Sequence, residues 1–168
     1  VALGQPTVVD GRLFVGSDKG VIYALDARTG CQYWTFAAEA TVRTAITVAR
    51  RRDNRIAAYF GDTKAQAYAI DASTGTLIWK RKLDDHPVAR VTGSPKLHAG
   101  RLYVPMASIE EVAPSNPKYP CCTFRGSLSA LDAETGEVKW KSYTIPDEPK
   151  PTKMNAAGVQ NYGPAGAA

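Results

Sequence analysis

The sequence predicts an all-β chain, a partial β-propeller made of three four-stranded antiparallel blades. Three observations carry that reading. An eleven-residue pattern, A-[LI]-D-A-x-T-G-x-x-x-W, occurs three times. Short β-rich runs joined by turn signals lie upstream of the copies. Many of those runs are apolar on both faces, whereas a sheet with one solvated face alternates more cleanly.

The three copies run from Ala24 to Trp34, from Ala69 to Trp79 and from Ala130 to Trp140. Their tryptophans stand 45 and 61 positions apart. A period in the forties marks a propeller or another repeat array, and the longer third unit holds an insertion. The runs Val21-Ile22-Tyr23-Ala24-Leu25 and Ala67-Tyr68-Ala69-Ile70 are short strands that stop at Asp-Ala-x-Thr-Gly. Within that turn the Asp can accept backbone N–H bonds and the Gly can supply a positive φ, which fits a short hairpin loop. The Trp, four residues on, falls on the returning strand and gives each unit one heavy packing element.

Two further strands precede each pattern. In the first unit they are Pro6–Val9 and Arg12–Val15, joined by Asp10-Gly11, a strong hairpin turn. In the second they are Thr44–Val48 and Ile56–Phe60, and in the third Ser94–Leu97 and Arg101–Val104, joined by Ala99-Gly100. The expected units are residues 1–36, 37–83 and 84–145, the last with an insertion at 106–126, followed by a linker at 146–168 that leads toward a further blade. A β-sandwich or a solenoid is the alternative, but a sandwich does not need one hairpin motif three times over.

Composition narrows the function classes. The net charge is +5, yet the basic residues are dispersed apart from Arg50-Arg51-Arg52. That run lies between two apolar stretches and lacks interleaved aromatics, so it reads as a solvated hairpin turn, not a nucleic-acid patch. No apolar run approaches the roughly 18–20 residues of a membrane span. Cys31, Cys121 and Cys122 are too few for a disulfide scaffold, and with His86 and His98 standing apart no zinc spacing arises. Those histidines are expected on the surface or in loops. The chain opens on Val1-Ala2-Leu3-Gly4 with neither an initiator Met nor a basic-then-apolar leader, and is expected to be a processed or excised piece.

The triple pattern resembles the tryptophan-docking motif of the quinoprotein alcohol dehydrogenase propellers, which depend on pyrroloquinoline quinone (PQQ). It covers residues 1–145 and is specific to the superfamily, not to catalysis, since non-enzymatic propellers also carry it. Pro120-Cys121-Cys122-Thr123-Phe124-Arg125-Gly126-Ser127 and Tyr143-Thr144-Ile145-Pro146 are similar to segments of the polyvinyl-alcohol dehydrogenase group, as is the tail from Tyr162 to Ala167. The resemblance implies a secreted or periplasmic enzyme that oxidises alcohols with PQQ and Ca²⁺. Its electrons would pass to cytochrome c, with haem c on a domain or partner outside these residues. It also implies a full ring, commonly of eight blades, so the remaining blades are expected partners, the piece alone is expected to be inactive, and its two end faces are expected to drive self-association. The competing class is a non-catalytic propeller of the same repeats, acting as a protein-binding scaffold in the cell envelope; the Cys pair and its insertion favour the enzyme.

Neighbouring Cα atoms lie about 3.8 Å apart across a trans peptide, closer than an ordinary disulfide prefers. A bond between Cys121 and Cys122 would therefore close a small strained ring, and strain concentrates at functional sites. Two reduced thiols in a long loop remain the alternative. In the resembling family such a ring lies against the PQQ plane, and an Arg shortly after it holds quinone carboxylates or oxygens, which points to Arg125; a loop salt bridge is the alternative for that residue. Two departures weaken the carry-over. The pair here falls inside a blade instead of leading into one, and the spacing to Arg125 differs. Residues opening the innermost strands should line the central channel: Arg43 and Thr44 in the second unit, Thr92, Gly93 and Ser94 in the third. They could hold an anionic cofactor or merely satisfy strand-end backbone. Gly166-Ala167 is similar to a stretch that approaches PQQ. Neither calcium ligands nor a catalytic base are identifiable.

Overall fold

The computed structural model describes residues 1–166; Ala167, half of the Gly166-Ala167 stretch named above, lies outside them. Three antiparallel meanders follow one another. The first sheet is β1 (Thr7–Val9), β2 (Arg12–Gly16), β3 (Val21–Asp26) and β4 (Gln32–Ala37). The second is β5 (Thr47–Arg50), β6 (Ile56–Gly61), β7 (Gln66–Asp71) and β8 (Leu77–Lys82). In the third, a two-residue β9 (Ala89–Arg90) pairs with the far end of β11 (Arg101–Ser108). The regular path there is β10 (Lys96–His98), β11, β12 (Ser127–Asp132) and β13 (Val138–Tyr143). The all-β, four-stranded-blade architecture is thus present. Because β11 runs to Ser108, the excursion before β12 begins later than the sequence expectation of residue 106.

The three pattern copies fold alike. Asp26, Asp71 and Asp132 each accept two backbone N–H bonds on Oδ1 from the next residues but one and two, at 2.7–3.1 Å. Each Asp carbonyl takes the Gly N–H at 2.8 Å. A register shift follows the Ala of each copy. Each Trp stands on the outermost strand of its sheet, and in the first two copies it faces the next sheet.

Docking of one sheet on the next follows from those tryptophans. The Trp34 indole N–H donates to the Ala72 carbonyl at 3.2 Å and its ring lies on Gly75, where a Cβ would come within 2.7 Å of the ring. Trp79 repeats the contact one sheet further, donating to the Ala133 carbonyl at 3.0 Å and covering Gly136, where a Cβ would approach to 2.6 Å. Any side chain at Gly75 or Gly136 would lift the ring off. Trp79 is 8% exposed, Trp34 is half-buried and Trp140 is 44% exposed.

Two hydrophobic cores fill the gaps between sheets. Phe14, Ile22, Val42, Ile46, Phe60 and Tyr68 occupy the first; Tyr59, Trp79, Val91, Leu102, Phe124 and Leu131 occupy the second. Among the described residues only the middle sheet is covered on both sides, so β6 and β7 are almost continuously buried while β2 and β11 alternate. The arginine run is not simply solvated: Arg51, only 10% exposed, pairs with Glu134 at 2.8 Å, and Glu134 also accepts the Arg52 N–H at 3.0 Å. The interval 146–168, expected as a linker, carries a hairpin, β14 (Lys150–Met154) with β15 (Gln160–Gly163).

Candidate functional site

The insertion and that hairpin build one unit. Cys121 and Cys122 are joined by a disulfide and half-buried. The pair docks on β15: Tyr162 N–H donates to the Cys121 carbonyl at 2.8 Å, and Cys122 N–H to the Tyr162 carbonyl at 3.4 Å. Further along, Gly166 exchanges backbone bonds with Phe124 and Gly126 at 3.1 and 2.8 Å. Asn155 fastens the hairpin tip, its amide donating to the Pro117 carbonyl at 2.8 Å. A cleft opens beside the disulfide, lined also by Tyr119, Asn155, Asn161 and Tyr162.

A second cleft, of about 470 Å³, is basic. Arg43 enters it from the segment before β5, Arg90 and Thr92 from the start of the third sheet, and Ser108 and Glu111 from the end of β11. Arg90 Nε is buried with no hydrogen-bond partner among the described residues. Burial, then the neighbouring Arg43 charge, push the Arg90 guanidinium below its ordinary value. A buried donor left without an acceptor is costly, and Glu111, the carboxylate on the same cleft, acts in the opposite direction to Arg43 on the Arg90 charge.

The channel-lining residues separate into two groups. Arg43 and Thr92 face the basic cleft. Thr44 and Ser94 are occupied by backbone: the Thr44 hydroxyl bridges the Gly61 N–H and carbonyl at 3.2 and 3.4 Å, and Ser94 Oγ accepts the Ala45 N–H at 2.9 Å. Gly93 packs against Pro105. Arg125 lines neither cleft. Its guanidinium lies 3.9 Å over the Tyr143 ring and donates to the Pro146 carbonyl at 2.8 Å, which fixes the chain leaving β13.

Three contributors escaped the sequence reading. Arg90 stands two positions from Thr92 on an extended stretch and so shares its face; that signal was present. Glu110 is buried, and His86, in a loop as expected, is bonded through Nε2 to Thr123 Oγ1 at 2.9 Å. Nothing in Ile109-Glu110-Glu111 tells which carboxylate turns inward.

Residues 2–154 match the family model of PQQ-like repeats described as outer membrane protein assembly factor BamB. The chain belongs to the PQQ-like repeat family. Among its relatives, the polyvinylalcohol dehydrogenase of a Pseudomonas species is 46% identical over 97% of the chain, and that of a Sphingopyxis species 45% identical over 98%. The chain spans 26% of the length of each. The quinohemoprotein alcohol dehydrogenase of Comamonas testosteroni superposes with a TM-score of 0.68 at 26% identity, covering 89% of this chain and 22% of that one. This PQQ-like repeat chain therefore has the blade architecture of quinoprotein alcohol dehydrogenases, and its Trp–Gly contacts join consecutive blades.

Proposed function

We propose that the chain supplies three blades, about 1–36, 37–83 and 84–145, to a PQQ-dependent dehydrogenase. Its substrates would be alcohols of the polyvinyl-alcohol type, and its electrons would go to a cytochrome c. The observation that carries this reading is the basic cleft with its unpartnered Arg90 Nε. PQQ is a planar quinone bearing three carboxylates. Arg43, Arg90 and Thr92 offer donors of the right chemistry for a carboxylate, and Arg suits bidentate recognition. The disulfide offers an apolar, polarizable surface on the other side of the insertion. When bound, the quinone supplies a two-electron acceptor for the alcohol's hydride. The chain's own residues bind and orient; calcium ligands and a catalytic base are assigned to none of them. A periplasmic or secreted location accompanies this reading, since disulfides persist there.

The family model's description favours a second reading, a non-catalytic scaffold of the cell envelope. PQQ titration into the whole protein separates the two. The dehydrogenase reading expects saturable binding that weakens about 10-fold or more in Arg90→Gln, from loss of a charge-assisted contact. Binding that Arg90→Gln leaves unchanged removes the basic cleft from the site. No binding to a folded whole protein supports the scaffold.

A further inference from the structure

We propose that Glu110 is the positioning residue of the disulfide segment, its buried carboxylate gathering donors from both sides of Cys121–Cys122 and fixing where the pair sits. Glu110 follows the end of β11 and is 2% exposed, and its own N–H is held by Ser108 Oγ at 3.1 Å. Oε1 accepts the Tyr119 hydroxyl at 2.8 Å and the Thr123 N–H at 2.9 Å; Oε2 accepts the Phe124 N–H at 2.8 Å. Tyr119 stands two residues before the pair, and Thr123 and Phe124 directly follow it. Burial, then the bond to Glu110, push the Tyr119 hydroxyl up to about 12, so it stays a donor. His86 closes the cluster, with Nε2 3.7 Å from Oε1 and its ring edge-on to Phe124 at 5.5 Å.

The chemistry of the site demands a carboxylate. Three donors converge and two of them are backbone N–H groups that cannot rotate away. Gln in this place would turn its NH₂ toward either Phe124 or Thr123, leaving a buried N–H without an acceptor, which costs more than the bond itself was worth. Since the disulfide has no covalent anchor beyond its own two residues, Glu110 and β15 are what locate it. This inference goes beyond the dehydrogenase reading and holds whether or not a quinone binds.

The test uses the whole protein without cofactor. Amide hydrogen exchange is followed over residues 119–126 and over β11–β12, and reduction of Cys121–Cys122 by a phosphine is timed by thiol alkylation. Glu110→Gln is expected to speed both loop exchange and reduction by about 10-fold or more, with β11–β12 unchanged. A Leu131→Ala control, which loosens the blade core, is expected to raise exchange over β11–β12 instead. Unchanged loop rates in Glu110→Gln, or exchange rising equally over loop and strands, would overturn the assignment. Should Glu110→Gln not fold, Glu110→Asp keeps an acceptor-only group one methylene short. It is expected to speed loop exchange and reduction a few-fold, and unchanged rates overturn the assignment equally.

Discussion

Trp79 shows how one residue joins two blades. Its ring is held between Tyr59, 6.1 Å away centroid to centroid, and Gly136 on the following sheet, while its N–H is satisfied by the Ala133 carbonyl. Trp79→Ala should therefore cost about 3–5 kcal/mol, from lost transfer energy plus a cavity. Trp140→Ala in the same chain should cost about 1 kcal/mol or less, because that ring is largely exposed. Chemical denaturation of the two variants checks both, and equal losses would mean that docking is not what Trp79 contributes. These tryptophans were legible in the sequence because a repeated motif marks a repeated contact. Arg90 was legible only through its two-residue spacing from Thr92; Glu110 was not, since one of two adjacent carboxylates becomes special only when a distant loop closes over it.

At the level of elements, the Asp-Ala-x-Thr-Gly turn is the most predictable piece and the insertion the least. The turn follows from local bonds alone, and those bonds are pH-dependent. The Asp26 carboxyl is lowered from 3.8 to about 2 by the hydroxyl of Tyr33, then by the Thr29 N–H and hydroxyl. A carboxyl whose value is depressed on folding adds stability above its unfolded value, and that stability is lost as pH falls toward the folded one. The melting temperature should accordingly fall between about pH 4 and pH 2, and Asp26→Asn should make the fall shallower. Parallel melting curves of wild type and Asp26→Asn across that window would remove Asp26 as a contributor. The insertion, by contrast, is shaped by partners far along the chain: Tyr162, Gly166 and Asn155 all lie beyond β13, in the stretch expected to be a linker toward a further blade. Arg125 illustrates the same limit: a loop salt bridge was foreseeable and is present with Glu148 at 3.8 Å, but proximity in sequence to the Cys pair gave no hint of the Tyr143 ring and the Pro146 carbonyl.

For the molecule as a whole, the three sheets bury apolar surface between one another and leave it uncovered at both ends. Leu3 and Val8 are exposed in the first sheet's region, and Val138 and Trp140 on the last strand of the third. Repeat arrays whose terminal units lack polar capping faces associate through them. The 168-residue chain is therefore expected to self-associate with rising concentration in light scattering; a stable monomer at high concentration would contradict this. On the proposed reading the same faces meet further blades in the whole protein. A disulfide between neighbours closes no loop of chain, so it barely restricts the unfolded state and its removal should leave the fold standing. The most direct test is PQQ- and Ca²⁺-dependent dye reduction with polyvinyl alcohol, comparing the whole wild-type protein with Cys121→Ala/Cys122→Ala. The account predicts cofactor-dependent turnover in the wild type and a rate at least about 10-fold lower in the variant (a barrier change of roughly 1.4 kcal/mol) at an unchanged melting temperature. Equal rates would return the cysteines to loop structure, and no turnover by wild type loaded with PQQ would contradict the dehydrogenase itself.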